Sequence, residues 1–243
     1  MRLKFTALLF LVLGVIFNGQ AQPPTYDDLL IYYADAEYEK LLQKAEKYTL
    51  KDDTKKDPLP YLYLAKANYE ISKDATFAED YPKASKDAIK YASKCLKYDA
   101  EGEVYADEYE FFKELKTGIL EELKNLIALG TYNKMISPCG QLLKLDENDI
   151  GGYFLKAAVF YNLKDKGSAK LEAEKAFEKL DAVESVESWH PVDLESLKIG
   201  VIEYCKSIIA MNQVDKAKDL LGRVKQWLEH DSEFMAYYDS VIN

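Results

Sequence analysis

Apolar residues along this chain recur at helical spacing, and the clearest case is two consecutive stripes near the middle of the sequence. The first stripe consists of Tyr153, Ala157, Phe160 and Tyr161, and the second of Ala169, Ala173, Ala176, Phe177 and Leu180. Because residues three and four apart lie on one face of an α-helix, each stripe predicts an amphipathic helix. Asn148 and Asp149 precede the first stripe and are suitable caps. The pattern predicts a helical hairpin over residues 150–181.

This pattern repeats with a period of ~34 residues, which is typical of helix-turn-helix solenoids. A turn at residues 129–134 opens the earlier copy. On this period Leu142 aligns with Ala176, and Met135 aligns with Ala169. Units of this kind stack because none of them can bury its apolar face alone. The repeat therefore predicts a stack of helix pairs, a class of structure that usually binds other proteins.

The residues at the repeat positions resemble the tetratricopeptide repeat family. That family has aromatic residues at the fourth and eleventh positions and small residues at the eighth, twentieth and twenty-seventh. Those positions here hold Tyr153, Phe160, Ala157, Ala169 and Ala176. The resemblance implies an all-α fold, an α-solenoid of antiparallel helix pairs that form a right-handed superhelix with one groove.

Further helix pairs are predicted on both sides of this centre, for a total of about five hairpins. Before it, residues 61–69 pair with residues 88–100 across a long connection at 73–82, and a partial unit covers residues 36–48. After it, residues 201–208 pair with residues 214–224 beyond an extended loop at 182–191. Pro138 falls inside a predicted second helix, where it should kink the helix or delay its start.

The first residues have the features of an export signal. Arg2 and Lys4 precede an apolar run of about 13 residues, and small residues at Gly19 and Ala21 mark a cleavage site. The run is shorter than the ~20 residues that span a bilayer, and no Cys follows it to carry a lipid. We therefore expect residues 1–21 to be a cleaved signal peptide and residues 22–243 to be one repeat domain without a stable membrane anchor. The signal is similar to those of Gram-negative Bacteroidetes-type bacteria, which implies the periplasm or secretion.

The formal net charge of the chain is -10. Removal of Arg2 and Lys4 with the signal changes this to -12 (-10 - 2). Such a surface repels nucleic acid and anionic membranes, so neither is expected as a partner.

Candidates for catalysis or metal binding are few. His190 and His230 are far apart in the sequence and have no ligand-like neighbours, and phosphate loops and nucleophile motifs are missing. The acidic segment at residues 146–151 resembles a calcium loop, but Ile150 and Ala157 stand at its fifth and twelfth positions, where oxygen ligands are needed. We therefore expect no enzyme activity, no cofactor and no metal.

The three cysteines, Cys95, Cys139 and Cys205, all lie within predicted helices. Buried, unreactive thiols are expected at such positions. A single disulfide across stacked repeats stays open as an alternative, because an oxidising compartment would permit it.

In a stack of such helix pairs, the first helix of each pair lines the groove, and the repeat predicts which of its side chains point there. These are Lys66, Tyr69, Leu120, Lys124, Ile127, Phe154, Tyr161, Asn162, Ile202 and Lys206. They either bind a partner peptide or helix, or pack between helices. The function expected is an exported, non-enzymatic scaffold that binds protein or peptide segments, with a role in envelope assembly or secretion. The alternative is a glycan-binding accessory protein, which would need exposed tyrosines or Trp189 clustered on one face.

Overall fold

The computed structural model describes residues 25–243 and builds them from α-helices joined by turns and loops. This part of the chain has no β-strand. Its helices are α1 (Asp27–Ala34), α2 (Tyr38–Thr49), α3 (Pro58–Lys73), α4 (Ala84–Tyr98), α5 (Glu103–Asp107), α6 (Tyr109–Ala128), α7 (Tyr132–Leu145), α8 (Ile150–Asn162), α9 (Lys166–Asp181), α10 (Pro191–Ile209), α11 (Val214–Leu228) and α12 (Ser232–Ile242). The predicted all-α fold is confirmed. The predicted signal peptide lies outside the described residues.

Aspartate caps determine where several of these helices begin. The capping residues of α3, α8, α9 and α12 are Asp57, Asp149, Asp165 and Asp231. In each case a backbone N–H of the first turn donates to the carboxylate over 2.6–3.1 Å. These N–H groups have no partner within the helix, so the carboxylate satisfies a donor and also interacts favourably with the helix dipole.

Helices that follow each other pack in pairs: α1 with α2, α3 with α4, α6 with α7, α8 with α9, and α10 with α11, after which α12 packs on α11. The pairs are stacked, since α2 also packs on α3, and α7 packs on α8. Each pair therefore buries its apolar stripe partly against its neighbour, as expected for a solenoid. The predicted solenoid of antiparallel helix pairs is confirmed.

The long connections differ from regular turns as predicted. The segment between α3 and α4 contains a short 3-10 turn at Ala75–Phe77, and α10 begins at Pro191 after the loop that follows α9. Pro138 is buried inside α7, and the helix already begins six residues earlier, at Tyr132. Pro138 therefore does not delay the start of its helix.

The first helix of the last pair, α10, packs on the first helices of the two preceding pairs. The helix α10 lies along α8 and also reaches α6. At Gly151 of α8, a Cβ atom would lie only 2.1 Å from the carbonyl oxygen of Ser196 on α10. Only a glycine allows the two backbones to come this close. The contact between α8 and α10 therefore fills the space between these two helices around Gly151.

Candidate functional site

Three of the predicted groove residues belong to the core instead. Phe154 is 0 % exposed, Leu120 is 2 % exposed and Ile202 is 6 % exposed. The ring of Phe154 packs between Phe177 and Tyr204, with ring centroids 5.1 Å away in both cases. The prediction that these three side chains line a groove is wrong, because Phe154 and Ile202 lie in one core cluster shared by α8 and α10 and Leu120 lies in another shared by α6, α7 and α8.

The predicted groove residues that are not buried lead first to a cleft between α3 and α6, here called the α3–α6 cleft. Its volume is about 410 Å³. The residues around it are Tyr33, Lys66, Glu70, Glu110, Phe111, Lys113, Glu114 and Thr117. The chain between α4 and α6 contains the extra helix α5, and α3 and α6 do not pack closely. An opening therefore remains between two helices that regular repeats would bring together.

Of the predicted groove residues, Lys66 lines the α3–α6 cleft, and Tyr69 lies beside it, against Phe111. The ammonium of Lys66 is 2.7 Å from Glu108 Oε2 and lies 5.2 Å from the ring centroid of Tyr33. The ring of Tyr69 meets Phe111 edge to face, with centroids 5.8 Å apart. Burial, followed by a hydrogen bond with Glu114, raises the pKa of Tyr69 above its usual range. Both side chains therefore take part in a wall that combines aromatic rings with charged groups.

A second cleft lies where α8 and α10 end, and is here called the α8–α10 cleft. It has a volume of about 250 Å³ and is lined by Tyr132, Tyr161, Asn162, Lys164, Lys206, Ser207, Ala210 and Met211. The structure thus brings three predicted groove residues together here: Tyr161, Asn162 and Lys206.

Hydrogen bonds hold the polar side chains of the α8–α10 cleft. The Asn162 amide donates to Ser207 Oγ over 3.0 Å and to the carbonyl oxygen of Ala158 over 2.9 Å. The ammonium of Lys206 lies 2.6 Å from Glu203 Oε1 and remains half exposed. This amide orientation leaves the oxygen of Asn162 without a partner among the hydrogen bonds of the described residues.

The two remaining predicted residues lie between the clefts. Lys124 is exposed and pairs with Glu195 of α10 over 3.0 Å. Ile127 is partly buried and packs against the core formed by α6, α7 and α8. The ten predicted residues therefore do not form one continuous groove, but are divided between two clefts, the core and the side of α6.

A buried ion cluster connects α6, the α7–α8 turn and α10. The ammonium of Lys116 lies 2.7 Å from Asp149, 3.2 Å from Asp146 and 2.6 Å from Asp193. Burial lowers the pKa of Lys116, but the three carboxylates, Asp149 foremost, outweigh it and raise the pKa above its usual range. Ser196 Oγ also donates to Asp149 over 2.6 Å.

The sequence analysis missed this cluster because Lys116 follows no motif. The acidic segment that resembles a calcium loop supplies two of its carboxylates, Asp146 and Asp149. Its acidic residues thus hold a lysine and cap α8. The cluster serves to join three helices.

The other candidates for chemistry in the sequence include the three cysteines and His190. Cys95, Cys139 and Cys205 are buried and unpaired, and burial raises the pKa of each thiol to about 12. The ring of His190 stacks on Tyr109, with centroids 4.0 Å apart. Among residues 25–243, no group of three or more His, Cys, Asp or Glu side chains could hold a metal ion.

Two further observations bear on partners. Trp189, which the glycan-binding alternative would place on an exposed platform, is partly buried and packs against Trp227, with ring centroids 6.4 Å apart. Within the described part of the chain, none of the helices is both long enough and apolar enough to span a membrane.

Neither a family model nor a curated protein sequence matches the chain. Among solved structures, the chain is similar to the TPR2AB domain of yeast Sti1 in its complex with pHSP90, with 17 % sequence identity. The similarity covers 89 % of this chain and 96 % of that chain, at a TM-score of 0.32. The description of the fold therefore rests on the helix pairs of the chain itself.

Proposed function

We propose that this protein is a non-enzymatic interaction scaffold that binds a segment of a partner protein in the α3–α6 cleft. One observation carries the proposal: α3 and α6 do not pack closely and leave between them an aromatic cleft of about 410 Å³. Open clefts with aromatic walls and a few charged groups are the usual sites at which helical scaffolds hold peptide segments.

The shape of the cleft suits an extended segment better than a small compact ligand. Tyr33 of α1, Lys66 of α3 and Phe111 of α6 belong to three different helices, so a segment in the cleft can contact all three. The side chains of Tyr33, Tyr69 and Phe111 are only partly buried, so their remaining surface is available for contact with a partner. Burying exposed aromatic surface is the main source of binding energy at such interfaces.

The sharpest test places a photoreactive residue in the cleft of the protein in its own host. Thr117 lines the α3–α6 cleft and is exposed, so p-benzoylphenylalanine at this position should not disturb the fold. The matched control carries the same residue in place of Lys170, whose side chain is 75 % exposed on α9. We expect a discrete protein adduct from position 117 and none from position 170. Equal adducts at both positions, or none at position 117, would remove the support for the scaffold.

The proposal also includes export of the chain. Arg2, Lys4 and the apolar run that follows support a cleaved signal of residues 1–21 and a location in the periplasm or outside the cell. We expect the intact mass of the protein from its host to correspond to a chain that begins at Gln22, in the fraction released with the periplasm. A cytoplasmic protein that retains residues 1–21 would contradict export but would leave the scaffold proposal intact. The identity of the cross-linked partner protein would then show whether the scaffold acts in envelope assembly or secretion.

A further inference from the structure

The aromatic rings of the α3–α6 cleft already hold cationic side chains of the protein itself. The ammonium of Lys66 lies 5.2 Å from the ring centroid of Tyr33 and 5.9 Å from that of Phe111. The ammonium of Lys73 lies 3.9 Å from the ring centroid of Tyr69. Such distances are typical of cation–π attraction, so the walls of this cleft stabilise positive groups.

Carboxylates outnumber ammonium groups around the same rings. The carboxylates are Glu70, Glu108, Glu110 and Glu114, and the ammonium groups that pair with them are Lys66, Lys73 and Lys113. Glu70 and Glu114 share the single ammonium of Lys73, at 3.1 Å and 3.5 Å. One negative charge therefore remains uncompensated among these groups, next to partly exposed rings.

Tyr33, which lines the cleft, lies within the influence of these carboxylates. Burial first, and then the charge of Glu70, raises the pKa of Tyr33. The α8–α10 cleft differs, since Lys164 and Lys206 line it. The net charge of -10 on the whole chain adds a long-range attraction for positive partners.

Resting on the proposed scaffold function, we infer that the segment held in the α3–α6 cleft is a basic one, whose lysine or arginine side chains lie against Phe111 and pair with Glu70 and Glu114. The only ion-pair partner that Glu70 and Glu114 have in the described part of the chain is the partly exposed Lys73, which they share, so an incoming cation replaces a single ammonium group. An arginine is favoured because its planar guanidinium stacks on a ring and binds a carboxylate at the same time.

The test selects ligands without assuming their charge. A random dodecapeptide library is selected on the immobilised full chain, and each enriched peptide is labelled and measured by fluorescence anisotropy. The cleft variant is Glu70→Gln with Glu114→Gln. Its matched control is Glu174→Gln with Glu178→Gln, which removes the same charge from exposed positions of α9. A third variant, Thr117→Trp, fills the cleft without changing its charge. Circular dichroism melts confirm that all variants are folded.

Three outcomes are distinguishable. Enrichment of lysine and arginine, with affinity about tenfold weaker in the cleft variant and unchanged in the control, supports the basic segment. Peptides that Thr117→Trp blocks but that are neutral or acidic, or that bind the cleft variant as well as the wild type, overturn the basic segment and leave the scaffold standing. If Thr117→Trp weakens no enriched peptide, both the basic segment and peptide binding in this cleft are wrong.

Discussion

The backbones of α8 and α10 touch at Gly151 and Gly200. A Cβ atom on Gly200 would lie 2.1 Å from the carbonyl oxygen of Gly151, which is closer than real Cβ contacts come. The two glycines let the helices approach more closely than side chains would permit. This contact determines which residues of α8 are buried in the core and which remain accessible to a partner.

We expect Gly200→Ala to lower the free energy of unfolding by more than about 2 kcal/mol, because a backbone clash can be relieved only by separating the helices. The matched control is Gly222→Ala in α11, where a Cβ atom meets nothing within 4 Å. That change should stabilise the protein by about 0.5–1 kcal/mol, because alanine favours helix more than glycine does. Urea unfolding followed by circular dichroism measures both. Similar midpoints for the two variants would contradict the close contact.

Phe154 and Tyr161 test the division between core and cleft. Phe154→Ala should cost about 3–5 kcal/mol, because it leaves a cavity among Phe177 and Tyr204. Tyr161→Ala should cost about 1–2 kcal/mol, because that side chain is only partly buried. The free energies of unfolding of the two variants give the comparison. A loss below about 1 kcal/mol for Phe154→Ala would place this ring on an open surface after all.

Removal of Lys116 should leave Asp149 buried without its cation. We expect Lys116→Met to lower the free energy of unfolding by about 3 kcal/mol, and Asp149→Asn in that background to restore part of the loss. The control is Lys113→Met on the same helix, whose exposed ammonium pairs only with Glu110; its loss should stay below about 0.5 kcal/mol. Equal losses for the two lysines, measured by urea unfolding at pH 7, would show that the ion cluster does not join the helices.

The buried thiols predict a loss of stability at alkaline pH. Burial raises the pKa of Cys139 to about 12 in the folded chain, whereas an exposed thiol has a pKa of about 8.5. Above pH ~8.5 the unfolded chain releases this proton and the folded chain keeps it, so stability that is present at lower pH declines by about 1.4 kcal/mol per pH unit for each thiol.

Cys139→Ala should reduce the slope of that decline by the contribution of one thiol proton, about 1.4 kcal/mol per pH unit. The measurement is the free energy of unfolding between pH 8 and pH 10 under reducing conditions, and the slope is compared rather than the absolute value. An unchanged slope would mean that Cys139 has an ordinary pKa and is accessible to solvent.

The local sequence was sufficient for most helices, because their apolar spacing and caps lie within the segments themselves. The hairpin predicted over residues 150–181 is seen as α8 and α9, and Asp149 caps it as expected. The short helix α5 gave no signal, since five residues cannot display a repeating stripe. Likewise, the sequence of α6 does not reveal that Lys116 meets carboxylates from the α7–α8 turn and from α10.

The sequence by itself determined the fold class, the helix pairs and the residues that form each apolar face. Only the tertiary structure decided which of those faces remain open. The contact of Gly151 with Gly200 buries Phe154 and Ile202, while the opening between α3 and α6 leaves Lys66 on a cleft. The reason is physical: helix periodicity is a local property, whereas the distance between two helices depends on side chains and connections far apart in the chain.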